Sequence, residues 1–228
     1  MCAPIPVLAC HRRCFDRGGL MFGKLYDRAL DGERCWVRRD DGRVSRLPVN
    51  SWLGGIGADT EFDEALVDMC DGPTIDLGCG PGRLVAHLVN RGVPALGVDL
   101  SETAVELARN SGAPALRRDV FAELPAMGRW QTVLLADGNV GLGGDPRRIL
   151  QRAAELLRQG GRCLAEFDSE TEGIDVSWVR LESSNTIGPW FRWAVVGIDS
   201  VPELAADVGL VLSDVHRIGR RVVASLLA

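Results

Sequence analysis

The sequence predicts an α/β fold: a mainly parallel, doubly wound sheet that ends in an antiparallel hairpin. Three observations carry that expectation. From residue 74 onward, short β-rich runs alternate with helical patterns, the order that builds βαβ units. The first of these runs, "TIDL", passes directly into the glycine turn "GCGPG". The last two runs, "LVLSDVHRI" and "RRVVASLL", have only Gly219 between them, a separation that pairs them as neighbours of opposite direction.

Each element has its own local reason. Residues 1–20 show no clean period and read as a flexible tail, leaving 21–228 as one domain. The stretch "CWVRRDDGRVSRLPV" alternates about Asp41-Gly42, the pair that favours a tight hairpin turn, and "DTEFDEALVDMC" has amphipathic helical spacing. After the glycine turn, Leu84, Val85, Leu88 and Val89 share a helix face that ends near Gly92. Strand "ALGVD" leads to Ser101, an N-cap, with Glu102 favourable in the first turn of the next helix. "APALRRDV" and "TVLLA" are the third and fourth core strands. Asp145 and Pro146 open a helix lined by Ile149, Leu150, Ala153, Leu156 and Leu157, which Gly160-Gly161 should stop before strand "RCLAEF". Ser200-Val-Pro-Glu203 reads as a capping box opening a short helix that stops at Gly209.

Composition narrows the function classes. The 228 residues are 46% apolar and 25% charged, enough for one sizeable core. A net charge of −5 gives no general attraction to nucleic acid. No apolar run approaches the ~20 residues that cross a bilayer, so no membrane role is expected. "APIPVLAC" carries two prolines and has its arginines after it, unlike an export signal. Seven scattered cysteines read as reduced thiols of a cytoplasmic protein. Cys10, His11 and Cys14 are too few ligands for zinc, so no metal is expected. His87 and His216 read as surface or satisfied structure.

The glycine turn belongs at a nucleotide, and charge decides which kind. Gly78, Gly80 and Gly82 stand at every second position, and Arg83 takes the place of a dinucleotide motif's third glycine. Asp76, two residues before the turn, would repel a pyrophosphate, which favours backbone N–H groups and a helix N-terminus. The same carboxylate attracts a ligand that presents an ammonium and a sulfonium. Asp99, ending the second strand, is placed to accept from ribose hydroxyls. Asp119, at the end of the third strand, is placed to accept from an exocyclic adenine amine, or else caps a turn.

Over residues 60–228, "DLGCGPGR", "GVDLS", "RDV" and the terminal hairpin together resemble the class I S-adenosylmethionine-dependent methyltransferases, which are Rossmann-like. The resemblance implies S-adenosylmethionine as cofactor, S-adenosylhomocysteine as product, and methyl transfer to an O, N or C atom of a small-molecule acceptor. It implies that Asp76 and Gly78 face the methionine amino group while Gly80 and Gly82 let the backbone curve beneath the ligand. Asp99 then holds the ribose, Leu100 lies against the adenine, and Asp119 and the backbone N–H of Val120 bond its edge. An N-terminal aromatic, here Tyr26, would cover the methionine end. In the segment "ADGNVGLGGDP", Asp137 and Asn139 either orient the acceptor and take its proton or serve as turn residues.

Substrate-covering elements are expected at 21–58 and 174–197. The second holds Trp178, Trp190 and Trp193 interleaved with Arg180 and Arg192. Read functionally, it suits an apolar or aromatic acceptor with a negative group; read blandly, it is a hairpin packed on the domain. The Asn-Pro-Pro-aromatic signature of enzymes that methylate DNA bases is missing, which disfavours nucleic acid as substrate. Two rival readings stand beside the first: a non-catalytic S-adenosylmethionine-binding protein and a nicotinamide-dependent oxidoreductase.

Overall fold

The computed structural model describes residues 23–55 and 59–228, which form two compact units. The smaller comprises the described residues up to Leu47 with Trp178–Phe191, and the larger comprises Pro48–Ser177 with Arg192–Ala228. The division into units was not foreseen from the sequence, for a local reason. The joints carry no linker composition: one lies at Leu47-Pro48 and the others fall inside strands.

In the larger unit, helices α2 (Val49–Trp52) and α3 (Thr60–Asp68) precede strand β3 (Thr74–Leu77). There follow α4 (Arg83–Asn90), β4 (Ala95–Asp99), α5 (Glu102–Asn110), β5 (Ala115–Arg117), β6 (Trp130–Leu135), α6 (Pro146–Leu156) and β7 (Leu157–Phe167). After β8 (Ile174–Ser183) and β9 (Phe191–Val196), the two strands in which the joints fall, come α7 (Val201–Asp207), β10 (Val211–Ile218) and β11 (Arg221–Leu227). The seven-stranded sheet has the order β10-β11-β7-β6-β3-β4-β5. β3 pairs in parallel with both β4 and β6, whereas β11 runs antiparallel to β7 and β10. The chain therefore winds outward in both directions from β3. In such sheets the crevice for a ligand opens beyond the carboxyl ends of the central strands.

Period-two alternation splits the core across the sheet. Ile75, Leu77, Val133 and Leu135 pack with Ile149, Leu150, Ala153 and Leu156 of α6. Leu134, Leu164 and Val223 point the other way, against Phe62, Leu66, Leu84 and Leu88. The caps at Ser101 and Asp145 form as expected. The Ser101 hydroxyl accepts from the Ala104 N–H at 2.9 Å, and the Asp145 carboxylate accepts from that of Arg148 at 3.1 Å.

Three local expectations change. α6 ends at Leu156 rather than at the glycines, because Leu157 is already extended (φ −70°, ψ 142°) and enters β7. The third core strand stops at Arg117, leaving Asp119 beyond it. Ser200 makes no side-chain cap, since a 3₁₀ turn over Ile198–Ser200 puts its own backbone in helical geometry (φ −80°, ψ −11°).

The smaller unit begins with helix α1 (23–30) and the hairpin of β1 (Cys35–Arg39) and β2 (Val44–Arg46). Gly42 takes φ 90° at its turn, donates to the Arg39 carbonyl at 3.0 Å and closes the loop foreseen at Asp41-Gly42. β1 also pairs antiparallel with β8, setting Arg38 opposite Arg180 and Trp36 opposite Glu182. Leu25, Ala29, Leu30, Cys35, Val179 and Leu181 are its buried hydrophobic residues. Among the described residues, no helix is long and apolar enough to cross a membrane.

The approach of α4 to α5 depends on Gly82. It has φ 80°, and a Cβ there would lie 2.6 Å from the Ala108 Cβ and 3.1 Å from that of Ala113. Gly92 has a similar φ of 77° with nothing within 4 Å of a Cβ. Gly92→Ala is therefore expected to cost about 1–2 kcal/mol for the left-handed backbone alone. Gly82→Ala should add roughly 1–3 kcal/mol of overpacking to the same strain. Urea unfolding of the two variants checks this; equal losses would show that the helices do not meet tightly at Gly82.

Candidate active site

The glycine turn is fixed from both sides. Gly78 (φ 81°), Gly80 (φ 54°) and Gly82 all adopt left-handed backbone as β3 gives way to α4. The Asn139 amide donates to the Leu77 carbonyl at 3.0 Å and to the Gly78 carbonyl at 2.9 Å. A Cβ at position 78 would sit 2.6 Å from that amide nitrogen, so only glycine fits the clamp. On the other side, Asp99 at the end of β4 accepts from the Gly80 N–H at 2.9 Å with one oxygen and from the Ser101 N–H at 2.8 Å with the other.

Asp76 lies at the centre of this arrangement. It is 3% exposed, and its Oδ1 has no hydrogen-bond partner among the described residues. Burial, reinforced by the negative charge of Asp137 and opposed by Arg83, pushes its carboxyl up to about 7. A buried carboxylate oxygen without a donor is costly, and the cost is removed by a ligand that brings one. An ammonium group meets that requirement; a phosphate does not.

Beside the turn, five charged residues form one network. Arg83 gives Nε and Nη2 to Asp63 (2.7 and 2.9 Å) and Nη1 and Nη2 to Asp137 (2.8 and 3.3 Å). Arg221 reaches Asp137 at 2.7 Å and clasps Glu166 through Nε and Nη2 at 2.7 and 2.5 Å. Its guanidinium stacks 3.4 Å above the Phe62 ring. Asp137 has φ 52°, a strained value for a residue with a side chain, and its N–H donates to Glu166 at 2.6 Å. Burial raises the Asp137 carboxyl, but Arg83 and Arg221 outweigh it and hold the group below its ordinary value. The network floors an open cavity of about 380 Å³, lined also by Pro48, Ser51, Trp52 and Asp59.

A family model described as a methyltransferase domain matches residues 75–161. The chain is 25% identical to the ubiquinone biosynthesis O-methyltransferase of Nitrosomonas europaea over 149 residues, 63% of this chain and 57% of that one. The enzyme of the same name from Methylococcus capsulatus is 39% identical over 108 residues, 44% and 45% of the two chains. The chain thus spans about half the length of the curated relatives it matches. Among solved structures, a SAM-dependent methyltransferase from Bacteroides fragilis in complex with S-adenosyl-L-homocysteine aligns with a TM-score of 0.75 at 20% identity, covering 91% of this chain and 94% of that one. Residues 75–161 thus match a methyltransferase domain, and the chain shares its fold with that S-adenosylmethionine-dependent methyltransferase structure.

The methyltransferase fold brings some of the expected residues together and not others. Asp76, Gly78, Gly80, Gly82 and Asp99 surround one turn, tied by the bonds above. Leu100 follows with 52% exposure, an apolar side chain open to solvent at the end of β4. Asp119 is exposed, and its carboxylate accepts from the Phe121 N–H at 2.9 Å, so it does cap a turn. Val120 is buried, with its carbonyl taken by Arg152 at 2.9 Å. Asn139 spends both described amide bonds on the glycine turn, and Asp137 is a pinned anion, so neither has the character of a proton acceptor at neutral pH.

Tyr26, Trp178, Arg180 and Trp190 belong to the smaller unit, Arg192 and Trp193 to the larger. The bland reading of 174–197 as a hairpin describes its backbone. Arg180 stacks 4.6 Å from Trp190 and gives Nε to Glu182 at 2.7 Å, the edge an acceptor carboxylate would need. Arg192 and Trp193 press on the Asn139–Gly144 segment; a Cβ at Gly144 would lie 2.7 Å from that of Arg192. Among the described residues no group of His, Cys, Asp or Glu is arranged to hold a metal, and Cys10, His11 and Cys14 lie outside them. Sequence reasoning missed Trp52, Asp63, Glu166 and Arg221 and gave Arg83 no partner.

The raised carboxyl of Asp76 has a stability signature. Its folded-state value of about 7 exceeds that of an unfolded aspartate, so its contribution is present in acid and lost as pH rises through 7. Ligand-free protein is expected to lose stability between about pH 4 and 7, and Asp76→Asn should remove that part of the decline. Urea unfolding across the pH range measures both; identical slopes would mean that Asp76 is ionised throughout.

Proposed function

We propose that the protein transfers the methyl group of S-adenosylmethionine to a small-molecule acceptor and releases S-adenosylhomocysteine. The observation that carries this reading is the buried, partnerless Asp76 oxygen beside a glycine turn at the sheet's switch point. The methionine ammonium of the cofactor supplies the missing donors, and Gly78 leaves room for close backbone approach. Each Asp99 oxygen takes one backbone N–H, which fixes the carboxylate at the end of β4 where ribose hydroxyls are bound in such folds. Leu100 offers an apolar face to the adenine.

The transfer itself asks for positioning more than for a dedicated base. The acceptor's lone pair forms a bond to the methyl carbon while the carbon–sulfur pair returns to sulfur. Bound S-adenosylmethionine would supply the electrophilic methyl on its sulfonium and leave as a neutral thioether, and the acceptor's proton would pass to water. The cavity beside Asp137 is of the size small ligands occupy, which favours an enzyme over a bare cofactor binder. The curated relatives named for ubiquinone biosynthesis support an aromatic acceptor. The free cysteines Cys35, Cys70, Cys79 and Cys163 support a cytoplasmic location.

Calorimetry with four ligands tests the proposal. S-adenosylmethionine and S-adenosylhomocysteine should bind, and NAD and NADP should not; tight binding of NAD would overturn it. Asp99→Ala should weaken cofactor binding by about 1.5–3 kcal/mol. Cofactor affinity should also rise from pH 6 to 8 as Asp76 ionises, and Asp76→Asn should flatten that profile and bind more weakly throughout.

A further inference from the structure

We propose that the cavity beside the glycine turn is a charge filter. It admits flat acceptors that are neutral or positively charged and rejects those bearing a carboxylate or phosphate. The inference rests on the methyltransferase reading and adds a substrate class to it.

The floor of the cavity looks basic by residue type and is not. Arg83 and Arg221 face it, but Asp63, Asp137 and Glu166 hold them, three carboxylates against two guanidiniums. Asp59 in the lining adds a fourth carboxylate. Recognition of an acceptor carboxylate by arginine works through two parallel N–H bonds from one edge of the guanidinium. In both arginines the Nε–Nη2 edge is already committed, to Asp63 in one and Glu166 in the other. An anionic acceptor would therefore meet a net negative surface and find no free fork. A cationic substituent offsets the excess charge instead.

The cavity's location ties this filter to the reaction. Asp137 is two residues from Asn139, which clamps Gly78, and the charges of Asp137 and Arg83 are both felt by Asp76. Whatever rests on the floor lies next to the glycine turn. Trp52 and Pro48 supply the apolar part of the lining, and about 380 Å³ suits one ring system with its substituents.

Three catechols that share a ring and a hydroxyl pair but differ in charge make the test: dopamine, catechol and 3,4-dihydroxybenzoate. Binding is measured by calorimetry at pH 7 and low salt on protein saturated with S-adenosylhomocysteine. Methyl transfer from S-adenosylmethionine to each is followed by mass spectrometry. Dopamine should bind at least as tightly as catechol, and 3,4-dihydroxybenzoate at least tenfold more weakly, with the gap shrinking in high salt. Asp59→Asn retains a good helix cap and should narrow the gap severalfold. Trp52→Ala should weaken all three probes alike. Binding of the benzoate as tightly as catechol, or failure of all three to bind the loaded protein, would overturn the filter. Failure of S-adenosylhomocysteine itself to bind would instead strike the methyltransferase reading.

Discussion

The guanidinium of Arg83 is the joint on which the site depends. It stands at the first position of α4, immediately after the glycine turn, and grips Asp63 of α3 on one side and Asp137 beyond β6 on the other. Through Asp137 the grip extends to Arg221 of β11 and Glu166 at the end of β7. Four separate parts of the larger unit are thus referred to one side chain. Without it, Asp63 and Asp137 would be largely buried anions with too few donors, a state that costs far more than the pair contributes when intact. The left-handed backbone of Asp137 persists because this network over-determines it.

The sheet and the site were legible to different degrees. Alternation, the glycine turn and the helix caps are local signals, and the strands and caps they name are present. The end of α6 was misjudged because Leu157 continues the apolar pattern while its backbone has already turned to strand. The unit boundaries left no trace, since a strand that crosses a boundary has the composition of a strand. Asp76 was readable from its offset to the turn, because the covalent geometry of a strand end fixes where its carboxylate points. The network was not: its bonded partners are 20 to 84 residues apart, brought together by a strand order that local pattern does not encode. The tryptophans of 174–197 were read by composition rather than by position. Concentration of aromatic and basic residues suggested a lid, yet Arg180 had a nearer partner in Glu182 two positions away.

Asp76 differs in kind from the core around it. The neighbouring residues Ile75 and Leu77 are fully buried and wholly apolar, and an asparagine or leucine at 76 would suit folding better than a charge. The carboxylate stands where its ionised form is least stable, and a cation arriving beside it would remove that cost. Asp99 follows a different logic. Its two backbone bonds hold the turn whether or not ligand is present, so its loss would disturb the shape of the site as well as its contacts.

β11 lies between β7 and β10, yet it is synthesised after every other described element. Until it emerges, Asp137 and Glu166 lack Arg221, and the inner strand β7 has a bare edge where β11 will pair. A growing chain can assemble β3 to β6 and even close the glycine turn, but its charge network stays open and its sheet unfinished. The site is therefore complete only once β11 has paired, and a chain stalled before Arg221 displays an exposed strand edge of the kind that recruits other chains.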